Sequence, residues 1–330
     1  MRKYLKELCD NVFLHNAFLY LLQSKGLTRP NDGGLSIQVP LIVDDNPNIR
    51  SYSGYDTLPT SPTEEFGFAN FPWKQFAGGL STCGFEQCVN GGSNAIFKLV
   101  DAKVQVLERS LEAYLNRMLL TSDGTGNSAR DIYGLPRIIG GLAIDPATGL
   151  PSAPVQPEVG GLSAANADTA FWTSRLDDAG RAVAIRDGQP IPAAVPLTLK
   201  QISHMLNHLT IGNDGPDCIV LSMELWEGLE ALFQPQLVQT NVAMAEAGFD
   251  NIRYRGVTFV WDRMVPADTA WFINTKYLNW DILGSCYMKM TPFMRPHDQD
   301  AQYAQILAVA NLTTCDRRMH GVMCNRKAIC

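Results

Sequence analysis

The sequence predicts an α+β fold, and three observations carry that prediction. An uninterrupted amphipathic helix spans about residues 94–120, and a two-stranded ribbon precedes it between Gly33 and about Gly79. An alternation of helices and strands begins at Leu197 and ends in the strand Ala304–Leu312.

Residues 3–25 place Leu5, Leu8, Val12, Leu19 and Leu22 on one stripe, which His15 completes, as in an amphipathic helix. In the ribbon, "LSIQVPLIV" reads as a strand, "DDNPN" as a turn and "EEFGFANFPWKQF" as the returning strand. Residues 44–63 are polar and rich in Pro, Ser and Thr, and a two-stranded ribbon with such a tip is marginal alone and needs a partner surface. Ile96, Val100, Val104, Leu107, Leu111, Leu115 and Met118 recur at helical spacing, with Ser93 or Asn94 as N-cap. Such a helix would be about 40 Å long. "TSDGTGNSARDIYGLPRIIGG" then reads as a glycine-rich loop leading to an apolar strand, and "RAVAIRDGQPIPAA" as a hairpin. Beyond it come helix Leu199–Leu209, strand Cys218–Leu221, helix Met223–Gln234, an Ala-rich turn to Gly248, and strands Tyr254–Trp261 and Ala270–Asn274.

The 330 residues suffice for one large or two medium domains with a sizeable core. Charged residues are only 18% against 46% apolar, a low share for a wetted monomer, so other subunits are expected to cover much of the surface. The net charge of −6 provides no basic field for gripping nucleic acid. The eight cysteines form no C-x-x-C pair and read as buried free thiols with no metal site. Glu7, Asp10, His15 and Asn16 interrupt any signal-peptide core, and no apolar run reaches the ~18 residues a bilayer requires. Folding in a cytoplasm, with no membrane partner, is expected.

Sites of chemistry are weakly marked. Gly124-Thr-Gly126-Asn-Ser-Ala129 has the glycine spacing of a dinucleotide loop but follows a helix and runs into a strand, the inverse of the required context, so it reads as a turn. His204 and His208 stand at i, i+4 with no identifiable third ligand and read as a polar helix face. His297, Asp298 and Asp300 read as a hydrated turn. Neither a P-loop nor a G-x-S-x-G elbow occurs. The six tryptophans (Trp73, Trp172, Trp226, Trp261, Trp271, Trp280) sit in apolar contexts and read as core or interface anchors. Neither a catalytic residue nor a cofactor is assigned.

The order of parts is more telling. From Tyr287 to Cys330 the chain combines a Pro292-Phe293-x-x-Pro296 break, an "HDQD" turn, a small-residue apolar strand and Arg317-Arg318. Earlier come Asp123-Gly-Thr-Gly126, Gly134-Leu135, Gly160-Gly161-Leu162 with Phe171-Trp172, and Gly215-Pro216-Asp217. Gly248-Phe249, Gly256, Asp262, Phe272-Ile273-Asn274 and Tyr277-Leu278 follow. This succession resembles the tailed-phage major capsid proteins of the Hong Kong 97 type over nearly the whole chain.

The resemblance implies an N-terminal arm at 1–30, an E-loop ribbon at 31–78, a P-domain with its spine helix at 79–145, an A-domain at 146–286 and closing P-domain strands at 287–330. It implies a shell tile and not an enzyme: pentamers and hexamers of the chain close an icosahedral virion capsid, built in a host bacterial cytoplasm around double-stranded DNA held non-specifically. A portal, a separate scaffolding protein and a decoration protein are the implied partners; with the ribbon about 30 residues from Met1, a separate scaffold or none is expected in place of a fused one. Intersubunit contacts are expected from Leu5, Leu8 and Val12 in the arm, Arg50, Tyr52 and Tyr55 near the ribbon tip, and Phe66, Phe68 and Trp73 on its return. Arg317, Arg318 and His320 are expected at a tile edge or facing the lumen. No Lys lies between Gly33 and Trp73, so the Lys–Asn crosslink of some relatives is not expected. An encapsulin-type shell and an α/β enzyme built on residues 197–280 are the alternatives.

Overall fold

The computed structural model describes residues 17–62, 65–89, 99–144, 151–166, 169–178, 183–186, 189–192, 195–233, 251–297, 299–324 and 326–327. Strand Ala301–Thr314 organises half of the fold. Its first ten residues pair antiparallel with Lys74–Cys83, from Ala301 opposite Cys83 to Ala310 opposite Lys74. On its other edge Ala310–Thr314 pairs with Leu278–Leu283, against which Thr28–Asn31 lies parallel. With Lys289–Met290 these strands make a five-stranded sheet. Alternation along the strand buries Ala304, Ile306, Ala308, Ala310 and Leu312 and leaves Tyr303 and Leu307 outside.

The long helix, Leu99–Thr121, packs on Lys74–Cys83 and measures about 34 Å at the usual rise. Its expected start at Ser93 or Asn94 lies outside the described residues. Leu111, Leu115, Leu119 and Leu120 bury its second half, and among them sits a buried polar residue, Asn116. The Asn116 amide donates to Asp262 Oδ2 at 2.8 Å, and its carbonyl oxygen accepts from the Leu19 N–H at 3.2 Å. Asp262 also accepts from the N–H groups of Met264, Phe18 and Ala17. Burial raises its pKa while these donors pull it back. Helix Ala17–Ser24, the long helix and the turn after Trp261 are thereby tied at one point.

A six-stranded sheet forms the other half, in the order Asn251–Tyr254, Val257–Trp261, Cys218–Leu221, Ala270–Ile273, Gly321–Cys324, Arg175–Asp178. Ile219, Leu221, Phe259, Phe272 and Met323 face helices Leu199–Leu209 and Met223–Phe233. Cys218, Val220, Val260, Trp271, Ile273 and Val322 face the larger core shared with the long helix and the ribbon. A reciprocal capping box starts helix Leu199–Leu209, the Thr198 N–H donating to Gln201 Oε1 and the Gln201 N–H to Thr198 Oγ1.

Several sequence expectations change. "LPRII" is a helical turn, Leu135–Ile139, with Pro136 near its start, and the strand begins only at Gly141. The expected strand at Tyr254–Trp261 is a hairpin whose first arm is Asn251–Tyr254, because Arg255 and Gly256, at φ 52° and 86°, make a left-handed two-residue turn. Ala304–Leu312 is not the final strand, since Gly321–Cys324 follows in the other sheet. Cys218 and Cys324 are buried, but Cys83, Cys88 and Cys286 are exposed, so the thiols are not uniformly core residues. The Ala-rich segment to Gly248 lies outside the described residues.

Two chain crossings join the sheets side by side. Strand Ala270–Ile273 passes through Asn274–Tyr277 into Leu278–Leu283, and Ala301–Thr314 passes through Cys315–His320 into Gly321–Cys324. Arg317 and His320 lie here with no solvent exposure, which corrects their placement at an edge or lumen; Arg318 alone turns outward. The Asp316 carboxylate caps the 3-10 turn Arg317–Met319 and pairs with Arg318 at 2.9 Å, which aims Arg317 inward. The Arg317 guanidinium donates to the carbonyls of Ile138 (2.8 Å), Trp172 (2.9 Å) and Pro157 (3.2 Å) and to Gln156 Oε1 (3.0 Å). Burial, then Arg137, pulls its pKa down to about 10, which leaves it charged at neutral pH.

Candidate assembly surface

The ribbon pairs Ser36–Ile42 with Phe66–Pro72, Ser36 opposite Pro72 and Ile42 opposite Phe66. Period-two alternation gives it two faces. Ile37, Val39, Leu41, Ala69 and Phe71 point inward onto the core with Phe18 and Leu22. The ribbon thus covers part of its own subunit, and the need for a partner falls on its other face. There Pro40 stands opposite Phe68 and Ile42 opposite Phe66, with Phe66 73% and Phe68 57% exposed. Large apolar side chains grouped in water make this face a candidate contact surface.

Beyond Val43, whose N–H donates to the Glu65 carbonyl, the chain narrows into a tip. Asn48 Nδ2 donates across it to the Ser61 carbonyl at 2.8 Å, and Arg50 donates to the Thr57 carbonyl. Ser53 and Asp56 close the turn, the Ser53 N–H donating to Asp56 Oδ2. Arg50 therefore braces the tip from within. Tyr52 and Tyr55 project into solvent, joined by Ile49 and Leu58, which sequence reasoning missed. Ile42 was missed as well, although its odd step out of the Ile37-Val39-Leu41 alternation marks it as outward.

Trp73 is half-buried at the ribbon foot, where its indole N–H donates to the Gly34 carbonyl at 2.9 Å. Beside it Lys74 donates to the Ala129 carbonyl and lies 5.0 Å from the Tyr133 ring centre. The returning strand leans on the turn Val159–Leu162, with the Asn70 N–H donating to the Gly160 carbonyl at 2.8 Å. Gly160 has φ +65°, and a Cβ there would meet Ala69 Cβ at 2.7 Å. Gly160→Ala is expected to cost about 1–3 kcal/mol in backbone strain and overlap. A lowered Tm with faster proteolytic cutting inside 36–72 checks it.

Leu5, Leu8 and Val12 lie outside the described residues. The Asp123–Gly126 segment is an Asx-type turn, the Thr125 N–H donating to Asp123 Oδ1 at 2.9 Å. His204 and His208 stack edge to face at 4.4 Å on an exposed helix face. Among the described residues no group of three or more His, Cys, Asp or Glu could hold a metal, and no helix is long and apolar enough to cross a membrane. Asp300 pairs with Arg295, and Asp298 lies outside the described residues. Trp172, Trp226, Trp271 and Trp280 are buried anchors.

Neither a family model nor a curated protein sequence matches the chain. Solved structures do. A capsid subunit of cyanophage A-1(L) is similar at a TM-score of 0.68 and 15% identity, over 98% of this chain and 96% of that one. The encapsulin of Synechococcus elongatus is similar at 0.61 and 9%, over 100% and 94%. The capsid protein of Myoviridae phage XM1 is similar at 0.57 and 11%, over 98% and 96%. The ribbon, the long helix and the two sheets of the described residues together are the Hong Kong 97-type capsid fold.

Proposed function

We propose that the chain is the major capsid protein of a tailed double-stranded DNA bacteriophage, a non-enzymatic tile whose pentamers and hexamers close an icosahedral shell. The observation that carries this reading is the outward face of the ribbon, where Pro40, Ile42, Phe66 and Phe68 stand uncovered on a chain matching capsid subunits over almost its full length. Arm residues Leu5, Leu8 and Val12 and tip residues Tyr52 and Tyr55 extend the same contact, with Arg50 and Trp73 holding the ribbon in shape from within. A hollow of about 430 Å³ between the long helix, strand Lys74–Cys83 and the turn at 127–132, lined by Phe76, Leu107, Leu111 and Tyr114 with Arg130 and Asp131 at its side, is a further place for contact with a second copy on this reading. Heterologous contacts of this kind close into rings when the rotation permits.

On this reading residues 1–30 are the arm, 31–78 the E-loop, 79–145 the spine region and 146–286 the A-domain. Segment 287–330 supplies strands to both sheets. Portal, scaffolding and decoration proteins are the partners, and assembly takes place in the host cytoplasm. An encapsulin shell is the second reading, supported by the likeness to the Synechococcus subunit.

Purified particles separate the two. A phage shell is expected to yield nuclease-protected DNA and a portal, and an encapsulin a protein cargo without them. Because the ribbon carries no Lys between Gly33 and Trp73, the subunit should run as a monomer band on a denaturing gel; a covalent ladder would contradict this.

A further inference from the structure

We infer that the paired crossings form a proton-sensitive joint between the two sheets, with His320 as its latch. His320 sits where the crossings touch and bonds to both. Its Nδ1 accepts from the Asn274 N–H at 3.3 Å, and its Nε2 lies 3.2 Å from Thr314 Oγ1. The first contact fixes the tautomer: with Nδ1 as acceptor, the proton is on Nε2 and is donated to Thr314 Oγ1. The Thr314 hydroxyl in turn donates to the Tyr277 carbonyl at 2.9 Å, and the Cys315 N–H donates to the same oxygen at 3.1 Å. A neutral imidazole therefore completes a chain of bonds running from the end of strand Ala270–Ile273 to the start of Leu278–Leu283.

Adding a proton to Nδ1 turns an acceptor into a donor that faces the Asn274 N–H. Two donors cannot share that contact, so the bond must break. Full burial outweighs Asp316, the Tyr277 carbonyl and Asp217, which favour a charged ring. Arg317, in the same crossing, is a like charge. Asp316 is engaged by Arg318, and Asp217 by Lys25 and by the Thr275 N–H and hydroxyl. Lys276 is taken up by Asp214, which also accepts from the Tyr277 hydroxyl. Arg175, on the neighbouring strand, contributes only its backbone N–H, which donates to the His320 carbonyl. Full burial accordingly lowers the pKa of His320 to about 4.

The sign follows from which state takes the proton. An opened joint exposes His320 at its ordinary value near 6.5, so opening binds a proton that the closed joint refuses. Closure is undiminished above pH 6.5 and is progressively lost as the pH falls from 6.5 towards 4. Between pH 7 and pH 5 the opening equilibrium should rise about 20-fold.

Hydrogen–deuterium exchange of the full chain at pH 7 and pH 5, corrected for intrinsic rates, tests this. Peptides covering 270–283 and 312–324 should lose protection about 20-fold. Strand Asn251–Tyr254, at the far edge of the six-stranded sheet and paired with Val257–Trp261, should not. His320→Asn keeps an acceptor for the Asn274 N–H without titrating and should abolish the loss. Exchange of the His320 C2 hydrogen in the unaltered protein reads its titration directly, whether or not the variant folds. Unchanged protection of the joint peptides, an equal loss in strand Asn251–Tyr254 or in His320→Asn, or a His320 midpoint near 6.5 would each overturn the inference.

Discussion

Arg317→Ala is expected to destabilise the chain by about 3–5 kcal/mol, lowering Tm on the order of 10 °C. The residue is fully buried, and among the described residues only carbonyl oxygens receive its guanidinium, with no carboxylate beside it. Removing it takes their Arg317 donor from the carbonyls of Ile138, Trp172 and Pro157 in the dry interior, at about 1–3 kcal/mol for each group that water cannot reach, and opens a cavity besides. Gln156 Oε1 keeps the Ser174 N–H. Those oxygens belong to three separate stretches, which Ser174 also links, its hydroxyl donating to the Ile139 carbonyl and its N–H to Gln156 Oε1. Arg317→Lys should recover only part of the loss, because one ammonium cannot reproduce the planar fork that reaches three carbonyls and an amide at once. Thermal unfolding of the two variants checks this, and an Arg317→Ala protein within 1 kcal/mol of the parent would refute it.

Phe66→Ala with Phe68→Ala is expected to leave the subunit folded and stop it from building shells. Both rings are largely in water within the subunit, so truncating them should move Tm by no more than a degree or two. Burying a Phe against a neighbour contributes about 1.5–3 kcal/mol, so losing two per contact raises the concentration needed for assembly about 100- to 10,000-fold. Deleting 44–63 should act in the same direction, giving soluble rings without stable shells. Normal shells from either variant would show that the ribbon's outer face is not an assembly contact. Phe71→Ala, on the inner face, should do the reverse, with a loss of about 3–5 kcal/mol in the subunit itself.

The contrast between Phe68 and Phe71 was legible in the sequence, because alternation assigns neighbouring aromatic residues to opposite faces once one strand of the ribbon is recognised. Helix Leu199–Leu209 was also legible to the residue, since Thr198 and Gln201 form its capping box locally. The joint was not. "DRRMH" reads as a surface turn, and nothing near it in the chain says otherwise. What buries Arg317 are carbonyls 145 to 179 residues away, brought to it only when the second sheet closes on the first. The short helix Leu135–Ile139 escaped for a different reason, since five residues are too few to show a period. The hairpin at Asn251–Trp261 escaped because the Arg255-Gly256 turn lacks the Asn-Gly or Asp-Gly signal.

The central claim is that many copies of this chain close into a shell, and sedimentation velocity of the purified assembled protein tests it most directly. A shell protein gives a megadalton species alongside free rings, and the Phe66→Ala, Phe68→Ala variant gives the rings alone. A compact dimer or tetramer as the largest species, for the parent protein under assembly conditions and with its scaffolding partner present, would contradict it.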